Sequence, residues 1–343
     1  MKKILSKIFK RKKEPLPTRI TSDTVAEHRE RILAGGRRFK YPIQYARHKL
    51  VINAILISLI ALILVVVVGW WRLYVVQSTS DFIYSITKVI PVPVASVDGQ
   101  SVLYSDYLMK YLSSIHYLVN KEQLNLNSAD GKRQVTYVKQ QSMNDAIADA
   151  YAIKLAGEKG ISVSDSELEL FLVLQRQSNG TEITEQAYQA VVLDYYGWSP
   201  SEYRHVTKNK LLRQKVAYSM DKDALTLSNG LSEILQADSS KDFKTLAEAT
   251  PARGSAKAVY GVSGWVPKSN QDGGLTTEAA KLEKSQMSSV IKSSIGDGYY
   301  IVKLIDISDD QVSYEYIKVP LTAFDNMLQS AKDKNKIDKY INI

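Results

Sequence analysis

Side chains able to do chemistry are few in this 343-residue chain, and their spacing builds no familiar catalytic group. Cysteine is absent, which excludes thiol nucleophiles, thiolate metal sites and disulfide frameworks. The 4 histidines, His28, His48, His116 and His205, are scattered, leaving little material for a Ser-His-Asp arrangement or a histidine-rich metal site. His116 and His205 fall in helical stretches, where packing or surface roles are expected for both. The sequence contains no GxxxxGK[ST] loop, so no nucleotide-driven cycle is expected. Neither a metal nor an organic cofactor is expected.

The charge is segregated. The first 49 residues hold 15 Lys and Arg against 4 Asp and Glu; of the whole chain's 45 and 36, that leaves 30 against 32. Residues 50–71, LVINAILISLIALILVVVVGWW, are uncharged and interrupted only by Asn53 and Ser58. At about 1.5 Å per residue this run crosses a hydrocarbon core of about 30 Å, with Trp70, Trp71 and Tyr74 as an interfacial belt. It is longer than a cleaved signal's apolar stretch, and the basic side is expected to stay in the cytoplasm. The expectation is a single-pass protein of the cell membrane: a basic cytoplasmic tail (1–49), a transmembrane helix (50–71), a stalk (72–93) and extracytoplasmic domains. Within the tail, a basic start at residues 2–13 precedes a break at Pro15 and Pro17, and SDTVAEHRERILAGG reads as a helix ending at Gly35-Gly36. Such a tail attracts anionic lipid headgroups. Nucleic acid is not an expected partner, because no aromatic-basic module accompanies the charge.

Beyond the stalk, VASVDGQSVL reads as an extended segment turning at Asp98-Gly99. Ser105 is a candidate cap for a helix with an apolar stripe at 104, 107, 108, 111, 112, 115 and 118. A polar loop over 121–132 leads to a long helix from Gln134 to a stop at Gly160. Ser164 and Glu167 have capping-box spacing. A helix from Thr184 ends at Gly197, and Ser199-Pro200 opens another that runs to about Asp221.

Taken in order, VASVDGQSVLYSDYLMKYL, AIADAYAIKLAGEKGISVSDSELE and YYGWSPSEYRHVTKNKLLRQKV resemble the N-terminal chaperone domain of the SurA, PrsA and PpiD-like extracytoplasmic foldases. The resemblance covers roughly residues 94–220, and it implies a helical cradle (94–223) that holds unfolded, exported polypeptides. Residues 225–307 resemble the parvulin prolyl isomerase module of these foldases. Gly261, Gly264 and Trp265 match its glycine-tryptophan segment, and SQMSSVIKSSIGDGYYIVKLIDI matches its final hairpin.

Four departures stand against isomerase activity. Tyr300 stands where the hairpin histidine belongs, Pro251 where an acidic residue belongs, and Leu275 where a pocket phenylalanine belongs. The strand that normally opens the module is missing from its place. VSYEYIKV, residues 312–319, alternates like that strand and is expected to fill the vacancy, circularly permuting the module and putting Tyr316 in place of a second histidine. Pairing of 312–319 with the strand around Tyr300 would support the permutation; a separate C-terminal hairpin would oppose it.

The expected fold class is α+β: a transmembrane helix, a mostly helical domain, a small antiparallel-sheet domain (224–330), and a polar C-terminal tail (331–343). The expected function is a membrane-anchored chaperone whose parvulin-like module lacks isomerase activity. A peptide-binding surface from Trp265, Leu275, Met287, Tyr300 and Tyr316 is implied by the same resemblance. The alternatives are an active isomerase built on Tyr300 and Tyr316, or an envelope-assembly protein with one dedicated partner.

Overall fold

The computed structural model describes residues 21–40, 42–178 and 181–343; the basic start and the break at Pro15 and Pro17 lie outside them. Two compact units result, Met1–Arg72 and Leu73–Ile343. In the first, α1 (Ser22–Lys40) continues through Gly35-Gly36 rather than ending there, since isolated glycines weaken a helix without obliging it to stop. The helix α2 (Pro42–Trp70) leads into a π-helical turn, Trp71–Val75. Among the described residues, one helical stretch is long and apolar enough to cross a membrane, His48–Val75.

The second unit begins with α3 (Asp81–Val89), followed by the hairpin β1 (Pro93–Val97) and β2 (Gln100–Leu103). The expected stalk is instead part of the fold. Leu73 and Ile83 join the core, and the Tyr74 hydroxyl donates to the Pro93 carbonyl at 2.7 Å. Pro91 and Pro93 suggested an extended spacer, but α3 turns Ile83 and Thr87 inward and buries them.

Next come α4 (Tyr104–Asn120), α5 (Ala129–Lys159), α6 (Asp165–Gln175), the short β3 (Gln177–Ser178) and β4 (Thr181–Glu182), α7 (Glu185–Tyr196) and α8 (Pro200–Met220). Ser105 is not the cap of α4. Strand β2 runs straight into the helix, so Leu103 takes the cap position and the Tyr104 N–H goes to the Val92 carbonyl at 2.8 Å. Helix α5 starts earlier than Gln134, because Ser128 caps it by accepting from the Gly131 N–H at 2.9 Å. Glycine is required at 131: a Cβ there would lie 2.1 Å from the Asn125 carbonyl oxygen. The Ser164–Glu167 capping box forms as read, a second joins Ser199 to Glu202, and Gly160 and Gly197 end their helices in the left-handed conformation.

After α8 the chain continues through α9 (Lys222–Ala237), α10 (Phe243–Ala249), β5 (Val259–Pro267), α11 (Leu275–Ala279), β6 (Ile291–Lys292), β7 (Gly298–Ile307) and β8 (Gln311–Pro320). It closes with α12 (Ala323–Asp333) and β9 (Ile337–Lys339). Four strands make an antiparallel sheet in the order β5-β8-β7-β6. Residues 312–319 pair with the strand around Tyr300, as the permutation requires: Tyr300 is opposite Lys318 and Val302 opposite Tyr316. Alternation sends Tyr299, Ile301, Ile317 and Val319 into a cluster with Leu231, Leu235 and Phe243 of α9 and α10. Tyr300, Val302, Leu304 and Tyr314 face Leu275 and Ala279 on the other side.

Residues 331–343 are not a polar tail, nor does the sheet module extend to 330. Phe324 and Ala331 of α12 are buried in the helical core, with the Phe324 ring 6.0 Å from that of Tyr151. Strand β9 then pairs with β1, Ala95 opposite Lys339 and Val97 opposite Ile337, making a sheet β2-β1-β9, and Ile341 is buried. The polar composition misled because a strand that completes a sheet needs backbone groups and only a few apolar side chains.

The turn of the first hairpin is tied to this return. Asp98 and Gly99 both adopt positive φ, 47° and 84°, as a tight hairpin turn demands. The Asp98 carboxylate bonds Lys154 of α5 and, at 2.8 Å, Lys336 just before β9. The Lys154 bond first, and the Lys336 bond second, lower its pKa to about 2. A lowered carboxylate pKa contributes stability above the unfolded value of about 4, and that contribution disappears as pH falls through the folded value. Urea denaturation at pH 4.5 and 2.5 is therefore expected to give a smaller acid loss for Asp98→Asn than for the parent.

Candidate functional site

The residues assigned to a parvulin-like surface do not form one surface. Leu275 and Tyr300 are each 5% exposed and pack in the same cluster, with half-buried Tyr316 against them. The Tyr300 and Tyr316 ring centres are 5.6 Å apart. Tyr316 lies across Gly261, where a Cβ would stand 2.4 Å from its ring; this close approach explains the glycine. Met287 bridges to Lys303 and packs with the cluster on the opposite face. Trp265 is on the edge strand β5 and is 52% exposed.

Two tyrosine hydroxyls of this sheet, those of Tyr300 and Tyr314, are committed to carboxylates. Tyr300 donates to Asp297 Oδ2 at 2.5 Å, and Lys318 donates to the same oxygen at 2.6 Å. Tyr314 donates to Asp272, which also accepts from Thr276. Burial and then the carboxylate neighbour raise both phenol pKa values, so each remains a neutral phenol at physiological pH. Neither can act as a base there. The same region is fastened to α8: the Tyr218 hydroxyl stands 2.8 Å from both the Ser293 and Gly298 carbonyls, and Gln214 donates to the Ile295 carbonyl at 2.9 Å.

A groove in the helical part has a different character. A cavity of about 330 Å³ lies between α3, α4 and the α7–α8 junction, with Met109, Leu112, Ile115 and Val119 on one wall and Tyr196 and Trp198 on the other. A second cavity, of about 280 Å³, shares Tyr84, Met109 and Glu202 with it and extends to Asp106 and His205. The amphipathic stripe of α4 divides by depth. Tyr104, Tyr107, Leu108 and Tyr111 are core, whereas Leu112 and Ile115 remain half-buried and line the groove. Tyr196 and Trp198 stack at 4.7 Å, and the Trp198 indole N–H is buried without an acceptor. In the sequence, the only signal for this wall was the aromatic run Tyr195-Tyr196-Gly197-Trp198.

Polar contacts fix the groove's shape. Burial alone would raise the Glu202 pKa, but bonds from Tyr84 (2.5 Å), Ser199 and Lys88 (3.0 Å) outweigh it and hold the carboxyl at about 2. One carboxylate thus caps α8 and clamps α3 to it. His116 Nε2 lies 3.0 Å from the Asp194 carbonyl, and its ring fills the space beside Gly197. His205 Nε2 lies 2.9 Å from Asp106 Oδ1, and the bond to Asp106 raises its pKa despite burial. Asp149 and Lys110 also act on it, with opposite signs. A raised histidine pKa stabilises below the unfolded value of about 6.5, and the contribution is lost as pH rises through the folded value. An NMR titration is expected to find His205 titrating above the ordinary histidine range, and Asp106→Asn to bring it down. Among the described residues no group of His, Asp and Glu is arranged to hold a metal.

The family described as the SurA-like N-terminal domain matches residues 43–217, just over half of the chain. Among solved structures, a chain from work on PEB4 and Cj1289 of Campylobacter jejuni, two structurally related SurA-like chaperones, aligns at 15% identity. The alignment covers 71% of this chain and 91% of that one, with a TM-score of 0.25. No curated protein matches the chain.

Proposed function

Since the chain belongs to the SurA-like N-terminal domain family, we propose that it is a membrane-anchored extracytoplasmic chaperone that holds unfolded exported polypeptides. The observation that carries this reading is the groove walled by Leu112 and Ile115 on one side and Tyr196 and Trp198 on the other. Its apolar walls are solvent-accessible, and burial of a client's apolar side chains there needs no nucleotide. The apolar stretch His48–Val75 is the anchor. The excess of Lys and Arg on its N-terminal side supports a cytoplasmic tail that also attracts anionic lipid.

The sheet domain is, on this reading, a circularly permuted parvulin-like module without isomerase activity. Support comes from the central position of β8 and from Tyr300, whose hydroxyl is bound to Asp297 inside a packed cluster. A phenol so engaged has no free donor to offer a twisting X-Pro carbonyl. The full chain in nanodiscs is expected to suppress aggregation of an unfolded client. In a protease-coupled assay, X-Pro isomerisation is expected to stay at its uncatalysed rate, tens to hundreds of seconds. Acceleration abolished by Tyr300→Phe would establish an isomerase instead, and failure to suppress aggregation would sink the chaperone reading.

A further inference from the structure

Helix α3 buries one side and exposes a second apolar one. Ile83 and Thr87 point into the core, and Tyr84 and Lys88 turn toward Glu202. Phe82, Ile86, Val89 and Ile90 are 69%, 37%, 81% and 56% exposed. Phe82, Ile86 and Val89, at i, i+4 and i+7, make a single helical stripe, and Ile90 follows as the extended C-cap of the helix. Two large apolar side chains more than half exposed on one short helix, and a third at its C-cap, are costly in water, and such patches mark interaction surfaces.

Chain continuity identifies what covers it. The helical stretch that can span a membrane ends at Val75, and α3 begins at Asp81. An extended residue spans at most about 3.6 Å, so the start of α3 stays within roughly 20 Å of the end of the span. The connection is not a loose tether. Leu73 is in the core, the Tyr104 hydroxyl donates to the Leu73 carbonyl at 3.1 Å, and Tyr74 is bound to the carbonyl of Pro93, just beyond α3. Val75, at the end of the span, and Val76, just beyond it, are also exposed. We propose that the outward stripe of α3 is a membrane-docking surface that lies in the bilayer interface. An apolar helical face of this kind sits about 5–10 Å into the headgroup boundary. Because α3 is covalently continuous with the spanning segment, the bilayer surface is always present to it at high effective concentration, whereas a second copy or a client must be met in solution. Because the opposite side of α3 carries Tyr84, the helix that docks on lipid is also the one that closes the client groove.

This inference rests on the reading of His48–Val75 as a membrane span, and the test separates the two. The chain has no cysteine, so Leu62→Cys in the span, Val89→Cys on the stripe and Ser239→Cys on a remote exposed loop each give one site for an environment-sensitive fluorophore. The full-length protein is reconstituted into phosphatidylcholine vesicles with and without brominated chains. The labels at 62 and 89 are expected to lose about half their emission to brominated lipid while that at 239 keeps its own, as interfacial burial of the stripe requires. Quenching at 62 but not at 89 overturns the docking surface and leaves the span intact. No quenching at 62 overturns the span, and the docking surface with it. Equal quenching at 89 and 239 means general adsorption and overturns the proposal. So does a label at 89 that changes only with protein-to-lipid ratio or only when unfolded client is added, since the occupant is then a second copy or a client.

Discussion

Asp221→Ala is expected to cost on the order of 3 kcal/mol, the upper end of the range for leaving buried hydrogen-bond donors unsatisfied. Asp221 is 3% exposed at the junction of α8 and α9. Its Oδ1 accepts from the Ala224 N–H at 3.0 Å, capping α9, and its Oδ2 accepts from the Thr322 and Ala323 N–H groups at 2.6 and 2.9 Å. One carboxylate therefore joins the helix that leaves the helical core to the segment that returns to it. Alanine strands three N–H groups and loosens the start of α12, which delivers Phe324 to the core. For a domain of this size each kcal/mol shifts Tm by about 2–4 °C, so a drop of roughly 10 °C is expected in a thermal melt. The control is Asp223→Ala, two residues on. Asp223 pairs with Arg253 at 3.2 Å, but both side chains are about half exposed, and such a pair is worth less than about 1 kcal/mol. Equal effects at 221 and 223 would mean that the C-terminal return is not held at this junction.

That junction marks where the sequence stopped being legible. Signals that act within a few residues could be read: the capping boxes at Ser164–Glu167 and Ser199–Glu202, the left-handed stops at Gly160 and Gly197, and the uncharged run at 50–71. The strand character of residues 312–319 was visible in their alternation, and their partner followed because the sheet otherwise lacked a strand. The segment AKDKNKIDKYINI has no such pattern. It becomes ordered only because β1 offers a free edge about 240 residues earlier in the chain, a relation that no local spacing records. The exposed stripe of α3 was hidden for a similar reason: Pro91 and Pro93 announce an extended stretch, and only the packed core distinguishes Ile83 from Phe82. In the sheet, Tyr300 could be recognised as a substituted histidine, whereas its engagement with Asp297 depends on the turn between β6 and β7.

The groove gives the largest functional effect expected of a single substitution. Replacing Ile115 or Leu112 by Asp places a carboxylate against an apolar client segment, and burying an unpaired polar group costs about 1–3 kcal/mol in proteins. That corresponds to a loss of roughly 10- to 100-fold in client affinity, enough to abolish aggregation suppression at near-stoichiometric chaperone. Because both positions are only half-buried in the free protein, the fold is expected to survive, and an unchanged melting temperature checks this. Trp265→Asp is the informative companion, because Trp265 is the large exposed apolar side chain among the residues that the parvulin resemblance singled out. If clients are held in the helical groove, Trp265→Asp suppresses aggregation as well as the parent does while Ile115→Asp does not. The reverse pattern would move the client site to the edge strand β5, where an extended segment could add to the sheet through main-chain bonds. Loss in both variants would mean one client bridging groove and sheet, which a heterobifunctional crosslink from Trp265→Cys to bound client would register directly.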